Sequence, residues 1–260
     1  MATSASVFNN SIDSWVEEQQ NPWAKLKYKV AQGNLRRHLT GGSLQILDAG
    51  GGNGMDAIPL AADGHQVALA DYSSEMLAEA RRNVANRQVA DRITFHLAEL
   101  STLASLFPEP CFDVVLCHNV LQYADDVPAL LKVVAAPLKL GGLLSLIAVN
   151  HYSVPYHAAF LRGDLAEAYE KLDRRTEQTY LFDTALYRHT AEEMIAMLAE
   201  MGCTSEADYG IRCICDYWGD NKLKMDADIF AQLEKLELEL TDRYPYKLLA
   251  RYFQVVARKR

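Results

Sequence analysis

The chain has 260 residues, of which half are hydrophobic, 34 are acidic and 26 are basic, so its formal net charge is −8 at pH 7. At about 100–200 residues per domain, this length predicts one large domain, or one domain with a small appendage. The hydrophobic share is sufficient for a sizeable core, which excludes a disordered chain. The acidic balance argues against a protein that binds nucleic acid through a generally basic surface, but it leaves room for a local basic patch.

The cysteines and the apolar stretches favour a cytoplasmic protein without a membrane anchor. The five cysteines are odd in number and form no Cys-x-x-Cys motif, as expected for reduced thiols rather than a disulfide framework. Residues 1–10 lack the basic segment followed by an apolar one that a secretory signal needs. The most apolar stretch, 130–149, is interrupted by two lysines, a proline and two glycines, so we do not expect it to span a membrane.

Residues 1–43 are predicted to form an N-terminal helical segment that ends at a pair of glycines. From 44 to 150, the predicted cofactor-binding core, short apolar runs alternate with amphipathic helical patterns. Strands are predicted at 44–48, 66–70, 93–97, 112–117 and 143–149, with helices at 55–62, 73–82 and 127–138 and a turn at Gly141-Gly142. Strands separated by helices of this length imply right-handed crossovers and a parallel sheet.

After residue 150 this alternation stops. Residues 151–200 are predicted to be a helical insertion, or lid, that lies over the strand ends. Its tyrosines are Tyr152, Tyr156, Tyr169, Tyr180 and Tyr187. Residues 201–260 are predicted to add strands at 209–216 and 252–257, joined by a helix at 227–242. The expected fold class is therefore α/β: a Rossmann-like, mostly parallel seven-stranded sheet with helices on both faces.

A glycine-rich loop follows the first predicted strand and reads Asp48-Ala-Gly50-Gly-Gly52-Asn-Gly54. A dinucleotide fingerprint, Gly-x-Gly-x-x-Gly/Ala, would require a small residue where this chain has Met55. The spacing is instead Asp-x-Gly-x-Gly-x-Gly, which resembles the first motif of class I S-adenosylmethionine-dependent methyltransferases. The resemblance implies that the loop packs against a neutral nucleoside and its amino-acid tail.

Parallel sheets bind their ligands outside the carboxyl ends of the strands, so the residues after each strand are candidate site residues. Asp71 follows the second predicted strand and suits a bidentate hydrogen bond to the two ribose hydroxyls. The loop, the spacing to Asp71 and the alternation of strands and helices together form a much more specific signal than a glycine loop alone. They predict S-adenosylmethionine as the cofactor.

Four segments resemble the tRNA 5-carboxymethoxyuridine methyltransferase family, and the resemblance runs from about residue 23 to residue 259. These segments are Leu47-Asp-Ala-Gly-Gly-Gly-Asn-Gly, Cys117-His-Asn-Val-Leu-Gln-Tyr, Gly210-Ile-Arg-Cys-Ile-Cys-Asp-Tyr and Pro245-Tyr-Lys-Leu-Leu-Ala-Arg-Tyr. The first is shared by many methyltransferases, whereas the last two lie outside the cofactor core and are far more specific. The resemblance implies transfer of a methyl group to the carboxylate of a modified wobble uridine, which gives a methyl ester.

The resemblance also implies a set of site residues. Those expected to bind the cofactor are Lys27, Asp48, Gly50, Gly51, Gly52, Gly54, Asp71, Tyr72, Glu99, Leu100 and His118. Those expected to contact the methyl acceptor are Tyr123, Arg212, Tyr217 and Arg251. Lys27 stands where the family has an arginine for the cofactor carboxylate; lysine keeps the charge but loses the two-pronged geometry.

His118 and Arg212 are the candidate catalytic residues, and each has an alternative role. Arg212 is flanked by apolar residues, so it needs an anionic partner, which is either a substrate carboxylate or a neighbour such as Asp216. His118 is either a general base or a packing residue. A carboxylate acceptor is already ionised and needs no base, whereas an amine or phenol would make His118, Tyr123 or Glu99 a candidate base.

The predicted partner is a methyl acceptor, either tRNA or a small molecule such as a natural-product acid, amine or phenol. Lys25, Lys27, Lys29, Arg36 and Arg37 are expected to form a basic patch that could steer RNA, or a solvated helix face. The tyrosines of the insertion either stack on a base or pack the lid.

The histidines have no metal-ligand spacing, so no metal is expected. A third hypothesis is a cofactor-binding protein without transferase activity. The oligomeric state stays open.

Overall fold

A seven-stranded sheet is at the centre of the computed structural model, which describes residues 19–85, 87–179 and 184–260. Its strands are β1 (Gln45–Ala49), β2 (Gln66–Asp71), β3 (Ile93–Leu97), β4 (Phe112–His118), β5 (Leu138–Val149), β8 (Cys203–Ile211) and β9 (Tyr252–Lys259). A separate antiparallel hairpin pairs β6 (Thr176–Thr179) with β7 (Thr184–Tyr187). The sheet order is β3-β2-β1-β4-β5-β9-β8, with β9 antiparallel to both of its neighbours. The predicted α/β fold class is confirmed.

Helices cover both faces of the sheet and connect its strands. They are α1 (Pro22–Arg36), α2 (Ala57–Ala62), α3 (Ser74–Ala85), α4 (Leu103–Leu106), α5 (Val127–Ala135), α6 (Ser153–Tyr156), α7 (Leu165–Glu170), α8 (Ala191–Glu200), α9 (Asn221–Lys224) and α10 (Ala227–Leu240). Local sequence explains where they begin. Pro22 is the first residue of α1, Asp126 caps α5 through its side chain, and Thr190 forms a capping box with Glu193 at the start of α8.

The near-continuous apolar runs of the central strands reflect burial on both faces of the sheet. Successive residues alternate between two core clusters: Leu47 and Leu144 pack with α5 and α8, whereas Ile46 and Leu143 pack with α2 and α3. A third cluster joins α1 and α10 to Ile147 of β5. This two-sided burial holds the strand ends at a common edge, where a ligand site can form.

Two predicted boundaries were wrong at the last strands of the sheet. Gly141 and Gly142 do not form a turn before a strand; they lie inside β5, beside an irregularity in its pairing with β4. The strand predicted at 209–216 ends at Ile211, because Arg212 has a positive φ of 62° that an extended strand cannot accommodate. The cysteines that follow it therefore lie in a turn rather than on a strand.

The predicted helical insertion at 151–200 is also only partly helical. It contains α6, a π-helical turn, α7 and the β6–β7 hairpin, and the sequence signal for this hairpin was missed. Residues 191–200 do not belong to a lid, because Met194 and Leu198 of α8 are fully buried against the sheet. Residues 1–18 of the predicted N-terminal helical segment, and Tyr180 of the insertion, lie outside the described residues.

Within the described parts of the chain, no helix combines the length and the apolar character needed to cross a bilayer.

The turn after β8 is held by one buried carboxylate of α10. Glu237 is fully buried, and its two oxygens accept the backbone N–H groups of Cys213, Ile214 and Cys215 at 2.6, 2.9 and 2.7 Å. A buried N–H group without an acceptor is costly. Glu237 therefore fixes the conformation of the segment that carries Arg212.

We predict that Glu237→Ala lowers the free energy of unfolding by about 3 kcal/mol or more, because three buried N–H groups lose their acceptor. Glu234→Ala on the same helix is the control: it removes only a partly exposed ion pair with Lys29, which stabilises by at most about 1 kcal/mol. Urea denaturation followed by circular dichroism measures both. Equal losses in the two variants would contradict the role given to Glu237.

Candidate functional site

The carboxyl ends of β1, β2 and β4 open into a cavity of about 610 Å³. Eleven of the residues predicted from the sequence line it: Lys27, Asp48, Gly50, Gly51, Gly52, Asp71, Tyr72, Glu99, Leu100, His118 and Tyr123. Gly54 lies beneath the loop, where an added Cβ would contact Leu69, Ile58 and Ala80. Arg212, Tyr217 and Arg251 are not among the residues that line this cavity.

The glycine loop needs glycine because backbone and side chains approach each other closely. Gly50 has a φ of +77°, and a Cβ there would lie 2.6 Å from Val120 Cγ2. At Gly51 an added Cβ would lie 2.6 Å from both Cγ and Oδ2 of Asp48. The loop thus packs directly on the Asp48 carboxylate, and any side chain at Gly51 would displace that carboxylate.

Asp71 is the last residue of β2, and its carboxylate is held in a single orientation. Its Oδ2 accepts the backbone N–H of Gly52 at 2.9 Å, and its Oδ1 accepts that of Ser73 at 2.9 Å. Burial raises the pKa of Asp71 overall, although these backbone hydrogen bonds act in the opposite direction. Each oxygen keeps a further lone pair, so a fixed, two-oxygen acceptor faces the cavity.

Two more carboxylates at the floor of the cavity have buried oxygens without a protein partner. These atoms are Oδ2 of Asp48 and Oδ1 of Asp56. Burial, followed by the negative charges of Asp56 and Asp71, raises the pKa of Asp48 well above its ordinary value. A cationic ligand group would satisfy both oxygens and relieve the repulsion between the carboxylates.

Lys27 supplies the one ammonium group among the residues that line the cavity. Its Nζ lies 4.5 Å from the centre of the Tyr28 ring and 5.4 Å from that of Tyr252. Burial disfavours the ammonium, but Tyr28, Tyr252 and Asp56 outweigh it, so the pKa of Lys27 is raised and the group stays charged. Carboxylates with open acceptor sites and a half-buried cation are therefore combined in one cavity, and the combination suits a zwitterionic amino-acid group.

His118, the last residue of β4, has both ring nitrogens engaged by protein groups. Its Nδ1 lies 2.9 Å from Oδ2 of Asp56, and its Nε2 lies 2.9 Å from Oγ of Ser145. The side chain is buried. The sequence had left a general base and a packing role open, and this geometry offers the cavity no unpaired ring nitrogen.

Arg212 is paired with its own neighbour. Nε donates to Oδ2 of Asp216 at 2.8 Å, Nη2 donates to Oδ1, and Nη1 donates to the backbone carbonyl of Trp23 at 3.3 Å. Burial lowers the pKa of Arg212, but Asp216 more than compensates and the pKa is raised overall. Of the two partners that the sequence allowed, Asp216 is the one that occupies the planar edge of the guanidinium group.

Tyr217 and Arg251 lie where the insertion meets the first residue of β9. The Tyr217 hydroxyl donates to the backbone carbonyl of Leu249, and its ring contacts Tyr156 edge-on at 6.2 Å. Nη1 of Arg251 donates to Oγ of Ser153 at 3.4 Å. Among the described residues no carboxylate forms an ion pair with Arg251. It is thus a half-buried cation that can accept an anionic ligand.

Sequence reasoning missed several residues that line the cavity: Tyr28, Asp56, Asn119, Gln122 and Tyr252. A signal existed for Asn119, because it follows β4 directly, and for Asp56, which lies two residues after the last glycine of the loop. No local signal existed for Tyr252. It reaches the cavity because β9 is antiparallel, which places its first residue opposite Val149 at the carboxyl end of β5.

The residues of the predicted basic patch near the N-terminus differ in their surroundings, and whether the patch steers RNA or is a solvated helix face stays a prediction. Lys25 is exposed. Lys27 points into the cavity. Lys29, Arg36 and Arg37 each form an ion pair with a nearby carboxylate, and Arg258 near the C-terminus pairs with a carboxylate of β8. Pairing cancels most of the field that such a patch would create at a distance.

The histidines contact protein groups rather than each other. His38 lies 2.7 Å from the Tyr209 hydroxyl, His65 accepts the backbone N–H of Leu44, and His151 lies 2.9 Å from the carbonyl of Leu172. In the described part of the chain, no three His, Cys, Asp or Glu side chains converge to hold a metal ion.

Comparison with known proteins assigns this geometry to a family. Residues 46–142 match the family described as "Methyltransferase domain". The tRNA 5-carboxymethoxyuridine methyltransferase of Escherichia coli K12 is 30% identical over 216 residues, which cover 83% of this chain and 80% of that protein. The ubiquinone biosynthesis O-methyltransferase of Bradyrhizobium diazoefficiens is 35% identical over 120 residues, which cover only 45% of this chain and 44% of that protein.

The fold is also shared with solved structures. An S-adenosylmethionine-dependent methyltransferase from Mesorhizobium loti superimposes with a TM-score of 0.60 at 23% sequence identity, covering 88% of this chain and 98% of that one. The cofactor is accordingly S-adenosylmethionine, and we predict that it binds in the cavity at the strand ends.

We predict that Gly51→Ala weakens binding of S-adenosylhomocysteine by about tenfold or more, which corresponds to about 1.4 kcal/mol. The added methyl group would displace the Asp48 carboxylate from the cavity. Isothermal titration calorimetry measures the affinity. Gly42→Ala is the control, because a Cβ at that exposed position meets no atom within 4 Å. Unchanged affinity in Gly51→Ala would show that the loop tolerates a side chain.

Proposed function

Because the chain belongs to the class I S-adenosylmethionine-dependent methyltransferases, in the family of the tRNA 5-carboxymethoxyuridine methyltransferase, we propose that it esterifies the carboxylate of a modified uridine at the wobble position of tRNA. One observation carries the proposal. The similarity to the E. coli tRNA enzyme spans 83% of the chain, whereas the similarity to the ubiquinone enzyme spans only 45%. The former must therefore include residues outside the cofactor core of 44–150.

The residues of the cavity fit the cofactor, which supplies a methyl group on a positively charged sulfur. The methionyl ammonium suits the unpaired oxygens of Asp48 and Asp56, and the methionyl carboxylate suits Lys27. Asp71 would hold the ribose hydroxyls. The backbone of Gly50, Gly51 and Gly52 would lie against the nucleoside, with Tyr72, Glu99 and Leu100 beside the adenine.

The protein contributes orientation, desolvation and charge to this reaction rather than acid–base chemistry. Methyl transfer from a sulfonium is an in-line displacement, so most of the rate enhancement comes from aligning the two reactants in a site without water. A carboxylate acceptor is ionised at neutral pH and brings its own lone pair. The engagement of both ring nitrogens of His118 is consistent with an acceptor of this kind.

The acceptor carboxylate needs a cation beside the cavity. Arg212 was the predicted cation, but Asp216 occupies its planar edge, so only its remaining N–H groups could reach a ligand. Arg251 has no such partner and lies next to Tyr217, on the side where the insertion packs. We therefore assign the stronger contact with the acceptor to Arg251 and a supporting contact to Arg212, with Tyr123 on the cavity side.

Exposed aromatic rings of the insertion support an RNA acceptor. Tyr156 and Phe160 stack with their ring centres 5.8 Å apart, and both side chains are exposed, as is Tyr169. Aromatic surfaces of this kind bind unstacked bases in single-stranded loops. The reaction is proposed to take place in the cytoplasm, where the five free cysteines would stay reduced.

A small-molecule acceptor is the second candidate. It is favoured by the net charge of −8 and by the ion pairs that neutralise the predicted basic patch. Weak dependence of KM on salt would support it, whereas a steep decrease of affinity with salt would support RNA.

We expect the enzyme to methylate an anticodon stem-loop RNA that carries 5-carboxymethoxyuridine at the wobble position. The assay uses S-adenosylmethionine with a radiolabelled methyl group, and mild base should release the label, as expected for an ester. An identical RNA with 5-methoxyuridine, which has no carboxylate, is the control. Label in the control RNA, or label only in a small-molecule extract, would contradict the proposal.

We predict that Arg251→Gln raises KM for the modified RNA by about tenfold, the effect of losing one charge-assisted hydrogen bond. The affinity for S-adenosylhomocysteine should stay unchanged, because Arg251 does not line the cofactor cavity. Arg243→Gln removes an arginine that is exposed and paired only with Glu239, and it serves as the control. Equal values of KM for wild type and Arg251→Gln would exclude the assigned contact.

A further inference from the structure

A continuous chain of buried polar side chains leads away from the cofactor cavity. It runs across β4, β5 and β9 beneath α1, through Asp56, His118, Ser145, Gln254, Asn34 and Thr241. The links between Ser145 and Gln254 and between Gln254 and Asn34 are both 3.1 Å. Ser145, Gln254 and Asn34 are completely buried. Polar groups are rarely placed in such a core unless their hydrogen bonds are complete.

The backbone carbonyl of Ala31 fixes the direction of the hydrogen bonds in this series of side chains. The carbonyl of Ala31 can only accept, so the Gln254 atom that lies 3.2 Å from it is the amide nitrogen, Nε2. The same nitrogen therefore donates to Oγ of Ser145, and Gln254 Oε1 accepts from Asn34. Asn34 in turn donates to Thr241, whose hydroxyl donates to the carbonyl of Gly210 at 2.7 Å.

With one of its two lone pairs engaged by Gln254, the Ser145 hydroxyl still has a proton that needs an acceptor. The ring of His118 is the only other polar group in hydrogen-bond contact with Ser145 Oγ among the described residues. Ser145 therefore donates to Nε2 of His118. The ring proton must then lie on Nδ1, where it is donated to Oδ2 of Asp56. In this arrangement the Ser145 hydroxyl, the His118 ring proton and the Gln254 amide protons all have acceptors, whereas an imidazolium would leave the Ser145 proton without one.

We infer that Ser145 and Gln254 are positioning residues that hold His118 as a neutral imidazole with its proton on Nδ1, and that His118 in turn orients Asp56 in the cofactor cavity. Asp56 Oδ2 is occupied by this contact, which leaves Oδ1 as the oxygen available to a cationic ligand group. The lone pair of Nε2 is occupied as well. A further consequence, which rests on the proposed function, is that His118 has no free ring nitrogen to serve as a general base, and a carboxylate acceptor, which is already ionised, needs none.

The same series of hydrogen-bonded side chains also connects the cavity to the N-terminal helix α1. Asn34 lies two turns after Lys27 on α1, and its side chain ties that helix to β9 and to the residue that ends α10. The network therefore holds Lys27 and one carboxylate of the cavity in a fixed relative position.

The protonation state and tautomer of the His118 ring can be measured directly by nitrogen-15 NMR on protein labelled at histidine. The measurement needs no methyl acceptor. The His118 signals are assigned by their absence from His118→Gln. We expect the wild type to show a protonated Nδ1 and an unprotonated, hydrogen-bonded Nε2 at pH 7.5. A protonated Nε2, in an imidazolium or in the other tautomer, would overturn the inference.

Ser145→Ala tests the role of the network. We expect the Nε2 signal to move, because its donor is gone, and the affinity for S-adenosylhomocysteine to fall about fivefold as Asp56 loses its fixed orientation. Ser145→Thr keeps the hydroxyl and should restore both. Val255→Ala, a cavity-forming change in the core of β9, should lower the melting temperature without moving the His118 signals or the affinity.

Unchanged histidine signals in Ser145→Ala, or an equal loss of affinity in Val255→Ala, would reduce the network to a structural role and overturn the inference. Neither measurement involves RNA. If the RNA assay fails while these results hold, the proposed acceptor is wrong but the positioning network stands.

Discussion

The structure depends on three carboxylates that are buried together at one edge of a parallel sheet. Asp48 and Asp71 lie near the carboxyl ends of two adjacent strands, and Asp56 belongs to the segment that connects these strands. Buried negative charges repel one another and cannot stay ionised without compensation. The compensation comes from backbone N–H groups at Asp71, from His118 at Asp56 and from the Lys27 ammonium nearby. The carboxylate oxygens that still have no partner, one on Asp48 and one on Asp56, suit a cationic ligand. S-adenosylmethionine carries two positive groups.

The antiparallel strand β9 brings the C-terminal part of the chain into this arrangement. It places Tyr252 at the cavity and Gln254 in the buried network, and its pairing with β8 positions the turn that Glu237 holds. Residues far apart in the sequence therefore act on one site. A relative that matches only 45% of the chain, as the ubiquinone enzyme does, therefore cannot match every part of the chain that acts on this site.

The acceptor side differs in character from the cofactor side. Most of its charged residues are already paired: Arg162 with Glu167, Arg188 with Glu177 and Arg212 with Asp216. Arg251 differs from them, because no carboxylate among the described residues forms an ion pair with it. If the acceptor is anionic, as we propose, its selection would depend on this arginine beside exposed aromatic rings and would not require a generally basic protein.

The sequence by itself determined the sheet, the cofactor and eleven of the residues that line the cavity, because these depend on local patterns. Apolar runs mark β1 to β5, glycine spacing marks the loop, and Asp71 follows from the position at a strand end. Only the tertiary structure decided the partners of Arg212 and His118, the pairing of β6 with β7 and the ion pairs of the N-terminal basic residues. The physical reason is that these outcomes depend on which side chains meet across strands and helices. A hydrogen-bond partner 27 residues away in the sequence, as Ser145 is from His118, leaves no local trace.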